Sequence, residues 1–158
     1  MASPLQTMAT TTKPLAELKL PPALKEAINS ALRRGHPMSI AYVNADGRPE
    51  LSFRGSLQTY GDTKLAIWVR NPESGVLRAV RAGRVHIAML YGDPTSDAFV
   101  SFRGRGRVYE SPEVRNAVYE HAPASERAAD KQQKGVPLII DLDSVEGYFA
   151  GHTLKMRR

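Results

Sequence analysis

Three strand-like segments separated by two tight turns fill residues 38–70, and that close spacing is what most limits the folds open to this chain. Met38–Asn44 is rich in β-formers and ends at Ala45-Asp46-Gly47-Arg48, whose Asp-Gly pair is a strong hairpin signal. Pro49–Tyr60 returns to a second turn at Gly61-Asp62. Lys64–Arg70 then alternates Leu65, Ile67 and Val69 against Ala66 and Trp68. Together they predict an antiparallel meander.

The remainder adds strands and short helices. A helix is predicted over Pro21–Arg34, where Leu24, Ala27, Ile28, Ala31 and Leu32 form one apolar stripe and Gly35 is the stop. Asn71-Pro72-Glu73-Ser74 predicts the start of another, with Asn71 as N-cap, Val76, Leu77 and Val80 as the apolar face, and Gly83 as the end. Strands are predicted over Val85–Tyr91, Ala98–Glu110, Pro137–Asp141 and Val145–Met156, with a helix opened by Ser111-Pro112-Glu113 between them. The regular strand–helix alternation of a doubly wound sheet is missing. About six antiparallel strands with inserted helices describe a small, mainly β (α+β) barrel, whose closure also removes exposed strand edges.

At 158 residues the chain suits a single domain over 16–158, preceded by a disordered tail over 1–15. Met1–Pro14 has no apolar core of the kind a secretory signal carries, and no apolar run reaches membrane-spanning length. With no cysteine, thiolate metal sites and cysteine nucleophiles are excluded, and a cytoplasmic setting fits. The net charge of +6, carried largely by arginines between Arg48 and Arg107, attracts anions in general. A nucleic-acid-binding barrel would also need an aromatic stacking face, and only 7% of residues are aromatic, so no nucleic-acid partner is expected.

Two segments bear on chemistry. At Asn71–Ser74, Arg70 just before the helix and Arg78 one turn inside it could hold a phosphate with the free backbone amides. On local sequence alone, a plain capped helix with exposed arginines is the favoured reading. In Ala98–Glu110, Arg103, Arg105 and Arg107 share one strand face, with Gly104 and Gly106 on the other; glycines there require a close approach by a ring, a bend or another strand. The four histidines show no metal-ligand spacing, and no Gly-x-Ser-x-Gly elbow occurs.

The order of elements resembles the pyridoxamine 5'-phosphate oxidase-like, FMN-binding split-barrel family. The residues that carry the resemblance are Ser39–Val43 with Asp46-Gly47-Arg48-Pro49, then Leu51–Gly55, Leu65–Arg70, Asn71–Ser74, and the strands up to Val108. It implies a six-stranded antiparallel split β-barrel with short flanking helices. It also implies a homodimer holding a flavin at its interface, a small-molecule substrate, and oxidoreductase chemistry carried by the cofactor. The alternatives in the same fold are a deazaflavin-dependent reductase and a non-enzymatic flavin- or haem-binding protein. By position, the cofactor contacts would be Ser52, Phe53 and Arg54, then Val69 and Arg70, then Ser74, Gly75 and Val76, with Arg78 added. Gly75 and Val76 stand where the family often has basic residues, so Arg70 and Arg78 are the compensating donors. No catalytic residue is implied.

Overall fold

The computed structural model describes residues 15–158; the tail expected over 1–15 lies, apart from Leu15, outside them. In chain order the elements are β1 (Ala16–Glu17), α1 (Pro22–Ser30), β2 (Ser39–Val43), β3 (Pro49–Phe53), β4 (Gln58–Thr59), β5 (Lys64–Val69), α2 (Gly75–Arg81), β6 (His86–Asp93), β7 (Ala98–Val108), α3 (Pro112–His121), α4 (Ala124–Ala128), β8 (Val136–Phe149) and β9 (His152–Arg157). A single 3-10 turn, Pro94–Ser96, joins β6 to β7.

Hydrogen bonding runs β3-β2-β6-β7-β8, every pair antiparallel. The other edge of β8 is shared: Val136–Asp141 pair with β5, and Ser144–Phe149 pair with β9. The sheet therefore forks at Leu142–Asp143, which makes the barrel split. β4 extends β5, and β1 adds a short parallel pair to β9.

One apolar core fills the interior. Ile40 of β2, Leu65, Ile67 and Val69 of β5, Met89 of β6, Val100 and Phe102 of β7, and Leu138 and Ile140 of β8 all point into it. Leu24 and Ile28 of α1 and Val76, Leu77 and Val80 of α2 enter the same cluster. The alternating residues of β5, Ala66 and Trp68, bury outward instead, beneath Val118 and Tyr119 of α3. Trp68 and Tyr119 meet edge to face, with centroids 5.2 Å apart. Burial of both faces explains why this strand is the most apolar of the early meander.

The expected strand segments are present, and the departures are local. The return strand Pro49–Tyr60 is broken at Arg54–Leu57, where Leu57 N–H donates to the Arg54 carbonyl. Ser56 Oγ donates to the Trp68 carbonyl and accepts from its N–H, tying the break to β5. Pro137–Asp141 and the strand begun at Val145 are one 14-residue strand, because β7 runs along both halves. That strand stops at Phe149: Ala150 (φ 52°) and Gly151 (φ 80°) form a two-residue turn, and Phe149 faces His152 across it. α2 begins at Gly75, not at Pro72, because Asn71 Oδ1 accepts from Glu73 N–H and closes a separate turn before the helix. The glycines of β7 meet the expected close approaches. A Cβ on Gly104 would collide with the Asp141 carbonyl at a register shift, and one on Gly106 would meet Ile87, 2.7 Å away. No helix among the described residues is long and apolar enough to cross a membrane.

Candidate functional site

The break after β3 opens a cavity of about 630 Å³ lined by Leu32, Pro37, Phe53, Arg54, Gly55, Ser56, Trp68, Arg70, Asn71 and Glu126. It exists because Gly55 and Ser56 turn the chain away from the sheet while β5 ends beside them at Val69. Three of the residues expected at a cofactor, Phe53, Arg54 and Arg70, meet here. Asn71, placed by sequence as a helix cap, joins them on the wall.

Arg54 is the unusual member. Its backbone N–H donates to Met38 O at 2.8 Å, which fixes where the side chain leaves β3. Its guanidinium is half-buried, and Nε is buried with no hydrogen-bond partner among the described residues. Burial lowers its pKa below the usual arginine value; nearby Arg70 adds to this, while Tyr42 and Glu126 oppose it. A buried donor left unpaired costs free energy. Arg70 Nε lies 3.5 Å from Glu126 Oε2 of α4, and Asn71 is exposed at the rim.

Beyond Arg54 lies a smaller cavity of about 150 Å³ walled by Tyr42, Asn44, Glu50, Gly75 and Arg78. Burial raises the Tyr42 hydroxyl above its ordinary pKa; Glu50 adds to this, and the cations Arg54 and Arg78 oppose it. Gly75 is what allows the hydroxyl to enter: a Cβ there would stand 2.6 Å from Tyr42 Oη. Arg78 Nη1 donates to Glu73 O at 2.8 Å, which pins it over the start of α2. Tyr42 feels the charges of both Arg54 and Arg78, and Arg54 that of Arg70, so the two cavities are electrostatic neighbours.

The remaining expected contacts fall apart from these cavities. Val69 and Val76 are fully buried in the core and offer no side chain to a ligand. Ser52 is partly buried on the edge strand β3, and Ser74, the residue before α2, makes no side-chain cap. Tyr42 and Glu126 were missed by sequence reasoning. Tyr42 sits in a plain β-pattern, and only the inward direction of its strand neighbour Ile40 hinted at burial. Glu126 is 72 residues from Arg54 in sequence, too far for any local pattern.

A second feature adjoins the cavity. Leu51 and Phe53 on β3 are 76% and 73% exposed, and with Val43, Leu90, Phe99 and Tyr148 they give the outer sheet face an apolar character. Register places Phe53 opposite Ser39 and Ser39 opposite Leu90, and likewise Leu51 opposite Ala41 and Ala41 opposite Ala88, so the exposed residues are neighbours across three strands.

No protein-family model matches the chain, and neither does any curated protein. Solved structures do. HupZ of Group A Streptococcus superposes with a TM-score of 0.64 at 15% identity, covering 85% of this chain and 98% of that one. A candidate pyridoxamine 5'-phosphate oxidase from Lactobacillus delbrueckii gives 0.60 at 19% identity, covering 82% and 94%. An F420 reductase gives 0.53 at 22% identity, covering 74% and 94%. The chain has the split-barrel fold of the pyridoxamine 5'-phosphate oxidase-like proteins.

Proposed function

We propose that this protein is a flavin-type oxidoreductase of the split-barrel class, working as a homodimer in the cytoplasm, with FMN as cofactor and a deazaflavin as the alternative. The observation that carries this reading is a cavity walled by Arg54 and Arg70, with Arg54 Nε unpartnered among the described residues, beside a second cavity walled by Tyr42 and Arg78. Flavin cofactors of both kinds carry a phosphate, and arginine forks bind phosphate oxygens in pairs. Arg54 and Arg78 would hold the phosphate, with the Tyr42 hydroxyl between them. The family's usual basic pair is absent: Gly75 is filled by the approach of Tyr42, and Val76 is a core residue. Arg54 and Arg78 supply two guanidinium groups in their place. When bound, the cofactor ring supplies hydride or electron transfer, while the protein supplies position and charge.

The apolar outer face supports the dimer. Contiguous exposure of Leu51, Phe53, Leu90 and Phe99 is the kind of surface a two-fold copy buries. Phe53 belongs both to this face and to the cavity wall, so a copy seated there would help enclose the ligand.

The test is titration of FMN and of a deazaflavin coenzyme, followed by cofactor fluorescence, with the unaltered protein and with Arg54→Met/Arg78→Met. The reading expects saturable binding of at least one cofactor and its loss in the double variant. Equal binding by both proteins would place the phosphate elsewhere.

A further inference from the structure

We infer that Glu126 is an internal anion that occupies the Arg54–Arg70 cavity and is displaced by the ligand, so that the cavity takes an organic anion with an apolar body. The inference concerns the same site as the proposed function but does not depend on the cofactor's being a flavin.

Glu126 comes from α4, a short helix remote in sequence from the barrel end it reaches. Its side chain is 19% exposed, and one carboxylate oxygen, Oε2, lies 3.5 Å from Arg70 Nε. The other, Oε1, lies over Gly55: a Cβ on Gly55 would stand 2.5 Å from it. Glycine at 55 therefore leaves the space that the carboxylate fills. The remaining walls are mixed. Leu32, Pro37, Phe53 and Trp68 are apolar, while Arg54 and Arg70 are the cations. Two guanidinium groups face one carboxylate, and Arg54 Nε still lacks an acceptor. The cavity thus keeps one positive charge uncompensated, with its own glutamate marking where an anionic head would sit. The apolar walls beside it suit a ring or short hydrocarbon body.

An incoming carboxylate or phosphate would take Glu126's place beside Arg70 and meet the cavity-facing part of the Arg54 guanidinium. Glu126 must then turn toward solvent, so ligand binding competes with the Arg70–Glu126 contact. Neutralising Glu126 removes that competition and should tighten the complex.

Trp68, the only tryptophan in the chain, lines the cavity and reports on its contents by fluorescence. The experiment titrates benzoate, inorganic phosphate and neutral benzyl alcohol into the unaltered protein and into Glu126→Gln. Benzoate is expected to bind, benzyl alcohol to bind much more weakly, and Glu126→Gln to tighten benzoate by about fivefold, the scale of a partly exposed ion pair. Tighter phosphate without benzoate binding would overturn the apolar-body assignment. Unchanged or weaker benzoate binding by Glu126→Gln would overturn the displacement, since Glu126 would then be positioning Arg70. Gly55→Ala provides a second variant: its methyl group fills the space over residue 55 that the Glu126 carboxylate holds and the ligand's anionic head would take, so it should weaken benzoate, and unchanged binding would count against the inference. FMN titration of the same samples separates the two readings: benzoate tightened without any cofactor binding leaves this inference standing and removes the flavin.

Discussion

Arg54→Met separates a structural arginine from a functional one. The methionine keeps the apolar stem and removes the guanidinium. An unpaired buried N–H costs about 1–3 kcal/mol, and because the Arg54 group is half-exposed the lower end applies. Against this stands its attraction to Glu126, well under about 1 kcal/mol in a partly wet setting. The expected change in folding stability lies between about 0 and +1 kcal/mol. With a urea m-value of about 2 kcal/mol/M, that moves the unfolding midpoint upward by no more than about 0.5 M. Protein concentration must be equal in both samples, because a dimer's midpoint depends on it. Binding moves the other way. Losing one charge-assisted bond of about 1.5–3 kcal/mol weakens FMN by roughly 10- to 150-fold. The assay is therefore a pair: urea unfolding followed by Trp68 fluorescence, and calorimetric titration with FMN. A variant destabilised by more than about 2 kcal/mol that still binds FMN normally would refute the reasoning and make Arg54 a structural residue.

Other outcomes follow from the same geometry. Asp130 accepts from Trp68 Nε1 and Gly135 N, each at 2.9 Å, and from Lys134 N at 3.0 Å. Asp130→Ala strands these donors and should cost about 3–5 kcal/mol in chemical unfolding, while Asp130→Asn, which keeps one carbonyl, should cost about 1–2 kcal/mol. Asp93 has its pKa held well below the usual carboxylate range by Thr95 and Ser96, with His36 assisting. Its stabilising contribution is complete above about pH 4, the unfolded carboxylate pKa, and is lost as pH falls below that. Unfolding curves at pH 6 and pH 3 should therefore differ less for Asp93→Asn than for the unaltered protein. Ala150→Gly relieves the positive φ of the β8–β9 turn and should raise stability by about 0.5–1 kcal/mol in thermal or urea melts. Leu51→Asp/Phe53→Asp should convert the proposed dimer to monomer by light scattering while the circular dichroism of the sheet is kept.

Much of this fold is legible because periodicity reports burial directly. Leu65, Ile67 and Val69 alternate with Ala66 and Trp68 since the two sets bury on opposite faces of one strand, under different partners. Gly104 and Gly106 announce close approach, and β8 and Ile87 make it. What sequence obscures are interruptions that side chains decide. The break at Arg54–Leu57 depends on Ser56 bonding to Trp68, and the late start of α2 depends on Asn71 closing its own turn. The turn at Ala150-Gly151 lacks the Asn-Gly or Asp-Gly pair that usually marks it, so the second half of β8 and β9 read as one strand, Val145–Met156. At the site, Arg54 and Arg70 are legible through family order, whereas Val69 and Val76, matched by the same order, are core residues. Position in a motif does not say which way a strand or helix residue faces. Glu126 and Tyr42 enter only through tertiary packing.

The account rests most directly on the identity of whatever the protein retains. Its visible absorption spectrum after purification, with any released chromophore identified by mass spectrometry, tests this in one step. FMN or deazaflavin absorption is expected, and its loss in Arg54→Met/Arg78→Met. A colourless protein that stays colourless after incubation with either cofactor and gel filtration would contradict it.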